Sequence, residues 1–169
     1  LPRSQVALQS VLFLYSGGLR VSEAAGLRWR NCVDGCNVTG KGGRTRVVRL
    51  STGTWDELIA IRPAGEVAEQ RVFGLQAWGV WRRVRRAADR AGLRAVSPHF
   101  LRHAHATHAL HRGADLATVS ATLGHAGATT ADICMRARTD RGDWLGFSFV
   151  ISALIAMLRL KVRYHAGIY

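Results

Sequence analysis

The 169 residues suffice for one domain with a hydrophobic core, and 48% hydrophobic content with a mean hydropathy of +0.02 excludes a disordered chain. Against 11 acidic residues stand 24 Lys and Arg, a net charge of +13, which points to a polyanionic partner, nucleic acid first. Three cysteines (Cys32, Cys36, Cys134) exclude a disulfide-framed scaffold and make a reducing cytoplasm the expected compartment.

Lys41 and Lys161 are the only lysines. The excess is therefore arginine, whose planar fork pairs bidentately with phosphate. No signal peptide opens the chain, and Leu1 stands directly in an apolar helical pattern without an initiator Met, as in a fragment. Val6, Leu8, Val11, Leu12, Leu14 and Tyr15 predict a mostly apolar first helix, ended by Gly17-Gly18. Ser22 is the expected N-cap of a short helix through Leu27. From Trp29 to Leu50 the texture turns β-branched and glycine-rich. Short strands are predicted at Cys32-Val33, Asn37 to Thr39 and Thr45 to Leu50, with turns at Asp34-Gly35 and Gly40 to Gly43.

Thr54 is the expected cap of a helix of about two turns before Pro63. Gln76 to Ala91 reads as a strongly basic helix with Trp78, Trp81, Val84 and Ala88 on one face. Helices follow at His99 to Arg112 behind Pro98, at Asp115 to Leu123, and at Thr129 to Arg138. Trp144 to Leu158 is fifteen residues without a charge. That is short of the roughly 20 a bilayer span needs, so a buried C-terminal helix, packed in its own domain or a neighbour's, is expected; membrane association is the alternative. The fold class is mainly α with a small antiparallel β-sheet, and the expected division is a catalytic domain over 1–142 and an apolar tail over 143–169.

Taken alone, several features have plain readings. Arg20 and Arg102 could be surface ion-pair partners, and Arg44, Arg46 and Arg49 could form a solvated strand face. His99 and His103 stand at i, i+4, but no Glu follows as in His-Glu-x-x-His, so no metal is expected. Cys32 and Cys36 lack the two further ligands a zinc site needs. His103, His105, His108 and His111 read as helix-surface or packing residues, and residues 115–136 scan as a helix-turn-helix DNA reader.

Four islands in order override the plain readings. They are Tyr15-Ser-Gly-Gly-Leu-Arg20-Val-Ser-Glu-Ala-Ala-Gly-Leu27, Gly40-Lys41-Gly-Gly-Arg-Thr-Arg46-Val-Val-Arg-Leu50, Pro98-His99-Phe-Leu-Arg102-His103-Ala-His-Ala-Thr107-His-Ala-Leu110, and Leu123-Gly124-His125-Ala126. Together they resemble the arginine, β-hairpin, His-x-x-Arg and third boxes of the tyrosine recombinase (phage integrase) catalytic domain, a DNA breaking-rejoining fold. The resemblance implies cleavage and rejoining of a phosphodiester through a 3′-phosphotyrosyl intermediate, with no metal or other cofactor. It implies that Arg20 and Arg102 stabilise charge on the phosphate, that His99 and His125 donate or move protons, and that Lys41 protonates the departing 5′ oxygen. The strong positive charge makes Lys41, Arg44, Arg46, Arg82 and Arg85 expected DNA contacts.

The family's nucleophile lies nine residues after the third-box histidine, within Thr-Thr-x-x-x-Tyr. Here that count runs from His125 through Thr129-Thr130 to Cys134. A cysteine sulfur reaches several ångström less far than a tyrosine hydroxyl, and a misplacement of about 1 Å costs about a hundredfold. Tyr164, 39 residues past His125, departs from the pattern. The expected activity is therefore a recombinase domain impaired at Cys134, with a non-catalytic DNA-binding remnant or modulator as the alternative. The resemblance further implies double-stranded DNA as partner and self-association on it, the tail in cis or in trans. The family's helical N-terminal core-binding domain has no counterpart in these residues, so weaker and less selective binding is expected.

Overall fold

The computed structural model describes residues 3–40, 42–93 and 96–124, together with the isolated helical positions Ser152 and Ala156. Lys41, His125, Cys134, the expected helix over 129–138 and the rest of the tail lie outside the described residues.

Helix α1 (Arg3–Ser16) is the central element. Val11, Leu12, Phe13 and Leu14 are all buried in succession, and Gln9 and Ser10 join them. A helix apolar on every side must be enclosed, and α1 packs against α3 (Thr52–Ile59), α4 (Ala77–Arg90) and α5 (Pro98–His111). Gln9 extends this enclosure by donating to Glu57 Oε2 at 2.8 Å. The helix stops as its glycine pair requires. Gly18 takes φ +57, its N–H bonds Tyr15 O, and Leu19 N–H bonds Leu14 O at 3.2 Å, the double closure of a Schellman motif.

Helix α2 (Val21–Gly26) follows at once, and its cap departs from expectation. The N-cap is Arg20, not Ser22; Glu23 at N3 reaches back to accept from Arg20 N–H at 2.9 Å. A carboxylate at N3 satisfies the exposed donor and lies favourably against the helix dipole, so no hydroxyl is needed. A 3-10 turn at Trp29–Asn31 then replaces the strand expected at Cys32-Val33, where only a single bridge joins Cys32 to Cys36. Strands β1 (Cys36–Thr39) and β2 (Thr45–Val48) pair antiparallel, Cys36 opposite Val48 and Thr39 opposite Thr45. At the loop end Gly40 N–H bonds Arg44 O at 2.8 Å, and Gly42 and Gly43 supply positive φ.

Helix α3 is capped by Ser51, which accepts from Thr54 N–H; Thr54, the expected cap, lies inside the helix. Helix α4 buries Val80, Val84, Ala87 and Ala88. Trp78 and Trp81, expected on that apolar face, are instead 63% and 38% exposed and stack on each other at 4.9 Å. Position 78 leads the buried 80/84/87 stripe by two residues, about half a helical turn, so its ring leaves the core. Helix α5 begins with Pro98 behind a Ser97 cap, and α6 (Leu116–Leu123) begins behind Asp115, which accepts from Thr118 N–H at 2.9 Å. Among the described residues, no helix is long and apolar enough to cross a membrane.

Candidate active site around a buried carboxylate

Three arginines from three elements meet on one acid. Glu23 is 5% exposed on α2. Its Oε1 accepts from Arg20 Nη1 and from Arg46 Nη1, each at 2.9 Å. Its Oε2 accepts from Arg46 Nη2 at 2.8 Å and lies 3.9 Å from Arg102 Nη1. Burial by itself would raise the Glu23 pKa, but the hydrogen bonds from Arg46 and Arg20 outweigh it and hold the carboxyl at about 2. An acid surrounded in this way stays ionised at any physiological pH.

Arg102 is the most enclosed of the three, its side chain 6% exposed. Its Nη1 donates to Gly18 O at 2.5 Å and its Nη2 to Leu123 O at 2.6 Å. One fork thus ties the C-terminal turn of α1 to that of α6. Arg46 does the same from β2, its Nε donating to Thr122 O at 2.7 Å. Gly124 closes α6 at φ +64 and lies so close to Arg46 that a Cβ there would sit 3.0 Å from Nη1. His125 is the next residue in the chain. Gly40 approaches from the hairpin, where a Cβ would lie 3.3 Å from Glu23 Oε1, and Lys41 follows it in sequence.

The carboxylate therefore organises an edge at which all four sequence islands converge. Arg20 keeps a partly exposed side chain, at 37%. His99 is exposed in the first turn of α5, one turn before Arg102, with its Nε2 2.7 Å from His103 Nε2. Burial chiefly, then His99 and Arg102, lowers the His103 pKa, so that imidazole favours the neutral form. His105 and His108 are packing residues, as expected of them. Burial lowers the pKa of both, and Tyr15 Oη lies 2.6 Å from His108 Nδ1.

The basic residues expected to meet DNA divide. Arg44 and Arg82 are exposed; Arg85 is half-buried and donates to Val96 O at 3.1 Å and to Asp89 at 3.4 Å. Arg46 turns inward, 13% exposed, and donates to Glu23 and to Thr122 O. Arg44, Arg46 and Arg49 read together as a solvated face because the sequence alone does not reveal the acid that draws Arg46 inward; Arg44 and Arg49 flank β2 and are exposed. Glu23 itself escaped singling out, although its position three residues after Arg20 is the capping-box spacing.

Gly18 links this site to stability. A Cβ there would meet Leu123 Cδ2 at 2.7 Å and His105 Cδ2 at 2.8 Å, and the left-handed backbone penalises any L side chain. Gly18→Ala is expected to lower stability by about 2 kcal/mol or more, read as a fall in the urea midpoint at unchanged m-value.

The model of the phage integrase family matches residues 3–140. Tyrosine recombinase XerD of Chlamydia pneumoniae is 36% identical over 141 residues, covering 75% of this chain and 47% of that protein. Tyrosine recombinase XerC of Xylella fastidiosa strain 9a5c is 40% identical over 133 residues, covering 70% and 44%. The chain thus spans about half the length of the curated relatives it matches. Among solved structures, the integrase from mycobacterium phage Brujita superposes with a TM-score of 0.64 at 23% identity, covering 91% of this chain and 57% of that one. XerA recombinase superposes at 0.63 and 22% identity, covering 99% and 64%, and both likenesses bear on the fold. The described residues form a mostly helical fold with a two-stranded antiparallel sheet, in keeping with these solved structures, and the chain belongs to the phage integrase family of tyrosine recombinases.

Proposed function

We propose that residues 1–142 form the catalytic domain of a site-specific DNA recombinase, acting on a phosphodiester held at the Arg20–Arg102 edge. The observation that carries this reading is the convergence of Arg20, Arg46 and Arg102 on Glu23. In-line displacement at phosphorus concentrates negative charge on the non-bridging oxygens, where guanidiniums fixed beforehand stabilise it without reorganising. Arg102 is oriented by Gly18 O and Leu123 O, and Arg20 by Glu23. Arg46 supports them from behind as a positioning residue. His99 and His125 are assigned as donors to the phosphate, and Lys41 as the acid that protonates the leaving 5′ oxygen.

Cys134 occupies the nucleophile position and leaves the reaction impaired, because its sulfur falls short of a phosphate placed for tyrosine. That one residue also favours a second reading, in which the chain occupies DNA sites or modulates an active relative. Both readings require double-stranded DNA, and self-association on it, with residues 143–169 packing in cis or in trans, belongs to the first. They part at cleavage. The test is a nicked suicide duplex: the first reading expects Cys134→Tyr to become covalently attached to it, whereas a pocket decayed beyond use would not.

DNA contact has its own measurement. If Arg20, Lys41, Arg44, Arg82 and Arg85 each neutralise about one phosphate, log affinity falls against log salt with a slope of about −4.5. Arg44→Ala, an exposed side chain, should make that slope shallower by about 1. A flat dependence would contradict the phosphate-contact reading.

A further inference from the structure

Cys32 and Cys36 take no part in the site above, yet they are placed as a pair. Their backbones form an isolated antiparallel bridge around Val33-Asp34-Gly35. Residues directly opposite in such a bridge have Cα atoms about 4.5–5.5 Å apart, inside the range of about 4.4–6.8 Å spanned by disulfides. The sulfurs already lie 3.2 Å apart, and both residues are buried, at 2% and 0% exposure. Small rotations about the Cα–Cβ bonds bring them to the roughly 2.0 Å of an S–S bond. Among the described residues no group of three metal-ligating side chains surrounds them.

We propose that Cys32 and Cys36 are a reversible dithiol–disulfide site, closed by hydrogen peroxide, that fastens the first residue of β1 to the 3-10 turn before it. Burial selects the oxidant, since hydrogen peroxide, with two heavy atoms, needs far less opening than a peptide disulfide. The partners are unequal. The hydrogen bond between them, helped by the Arg62 cation, lowers the Cys32 pKa, and the same bond with burial raises that of Cys36. Cys32 as thiolate attacks one peroxide oxygen, the O–O bond breaks, and a sulfenic acid and hydroxide result. The Cys36 sulfur, losing its proton, then displaces the sulfenic oxygen from Cys32 and forms the S–S bond. Two thiols are oxidised and one peroxide is reduced to two waters. The bond fixes the base of the hairpin whose loop contains Lys41.

The measurement needs no DNA, so it stands apart from the recombinase reading. Purified chain is treated with peroxide, quenched, unfolded, alkylated and mapped by mass spectrometry. Two of the three thiols should be lost to alkylation, with Cys32 and Cys36 in one linked peptide that dithiothreitol reopens. Cys134→Ser should form the same Cys32–Cys36 link and lose both of its thiols to alkylation, and Cys36→Ala should give no link. Cys32 and Cys36 both alkylated after treatment, or a link that includes Cys134, would overturn the proposal.

Discussion

Glu23→Gln will cost about 3–5 kcal/mol of folding stability at neutral pH, the range for removing one partner of a buried ion pair. Glutamine keeps the shape of the side chain and loses its charge. It leaves the Arg46 and Arg102 guanidiniums, 13% and 6% exposed, without their counter-charge. The pH dependence separates this loss from mere packing. The folded carboxyl titrates at about 2 against an ordinary 4.5, so its contribution is complete above about 4.5 and fades as pH falls toward 2. Linkage sets that contribution at about 3 kcal/mol. Urea unfolding at a series of pH values should therefore show the wild-type and Glu23→Gln curves well apart at pH 7 and converging through the acid range. A constant gap down to pH 2 would mean that charge at this position is not what holds α2, β2 and α5 together.

Arg102→Ala, placed in the Cys134→Tyr background, should slow covalent attachment to a suicide duplex by about 10²–10³, the effect of deleting one donor aimed at developing charge. Arg102→Lys should recover little of it. A lysine ammonium is a point charge that cannot hold the geometry now fixed through Gly18 O and Leu123 O. Non-covalent DNA binding should change far less than attachment, since the exposed Arg44 and Arg82 remain. Equal losses in binding and attachment would instead make Arg102 a general anchor for DNA. A melting curve for each variant checks that α1 and α6 still dock, because Arg102 also caps their carbonyls.

The helices were largely legible because each carries its own punctuation: Gly17-Gly18 after α1, Pro98 at the start of α5, Asp115 before α6. Caps chosen among neighbouring hydroxyls were not. Ser22 lost to Glu23, since a carboxylate at N3 serves the backbone and three arginines at once. Trp78 and Trp81 read as core because large aromatics are usually buried, but a helix this rich in arginine has only a narrow apolar stripe, and Val80, Val84 and Ala87 fill it. The site was legible as a set of boxes and not as a network. Arg20, His99 and Arg102 stand out through the resemblance of their islands to the family's boxes, whereas Glu23, Gly18 and the inward turn of Arg46 depend on contacts between residues far apart in the chain. The Cys32–Cys36 proximity was likewise hidden, because three residues between two cysteines do not reveal a backbone bridge.

On the proposed reading the charge-stabilising pocket of Arg20 and Arg102 is intact and Cys134 alone withholds the nucleophile. A pool of nicked suicide duplexes of randomised sequence, incubated with Cys134→Tyr and resolved in detergent, tests it most directly, because no target site need be known. The pocket as described predicts a detergent-resistant protein–DNA adduct with Cys134→Tyr and none with the unsubstituted chain. Absence of an adduct from the folded, DNA-bound tyrosine variant would contradict it.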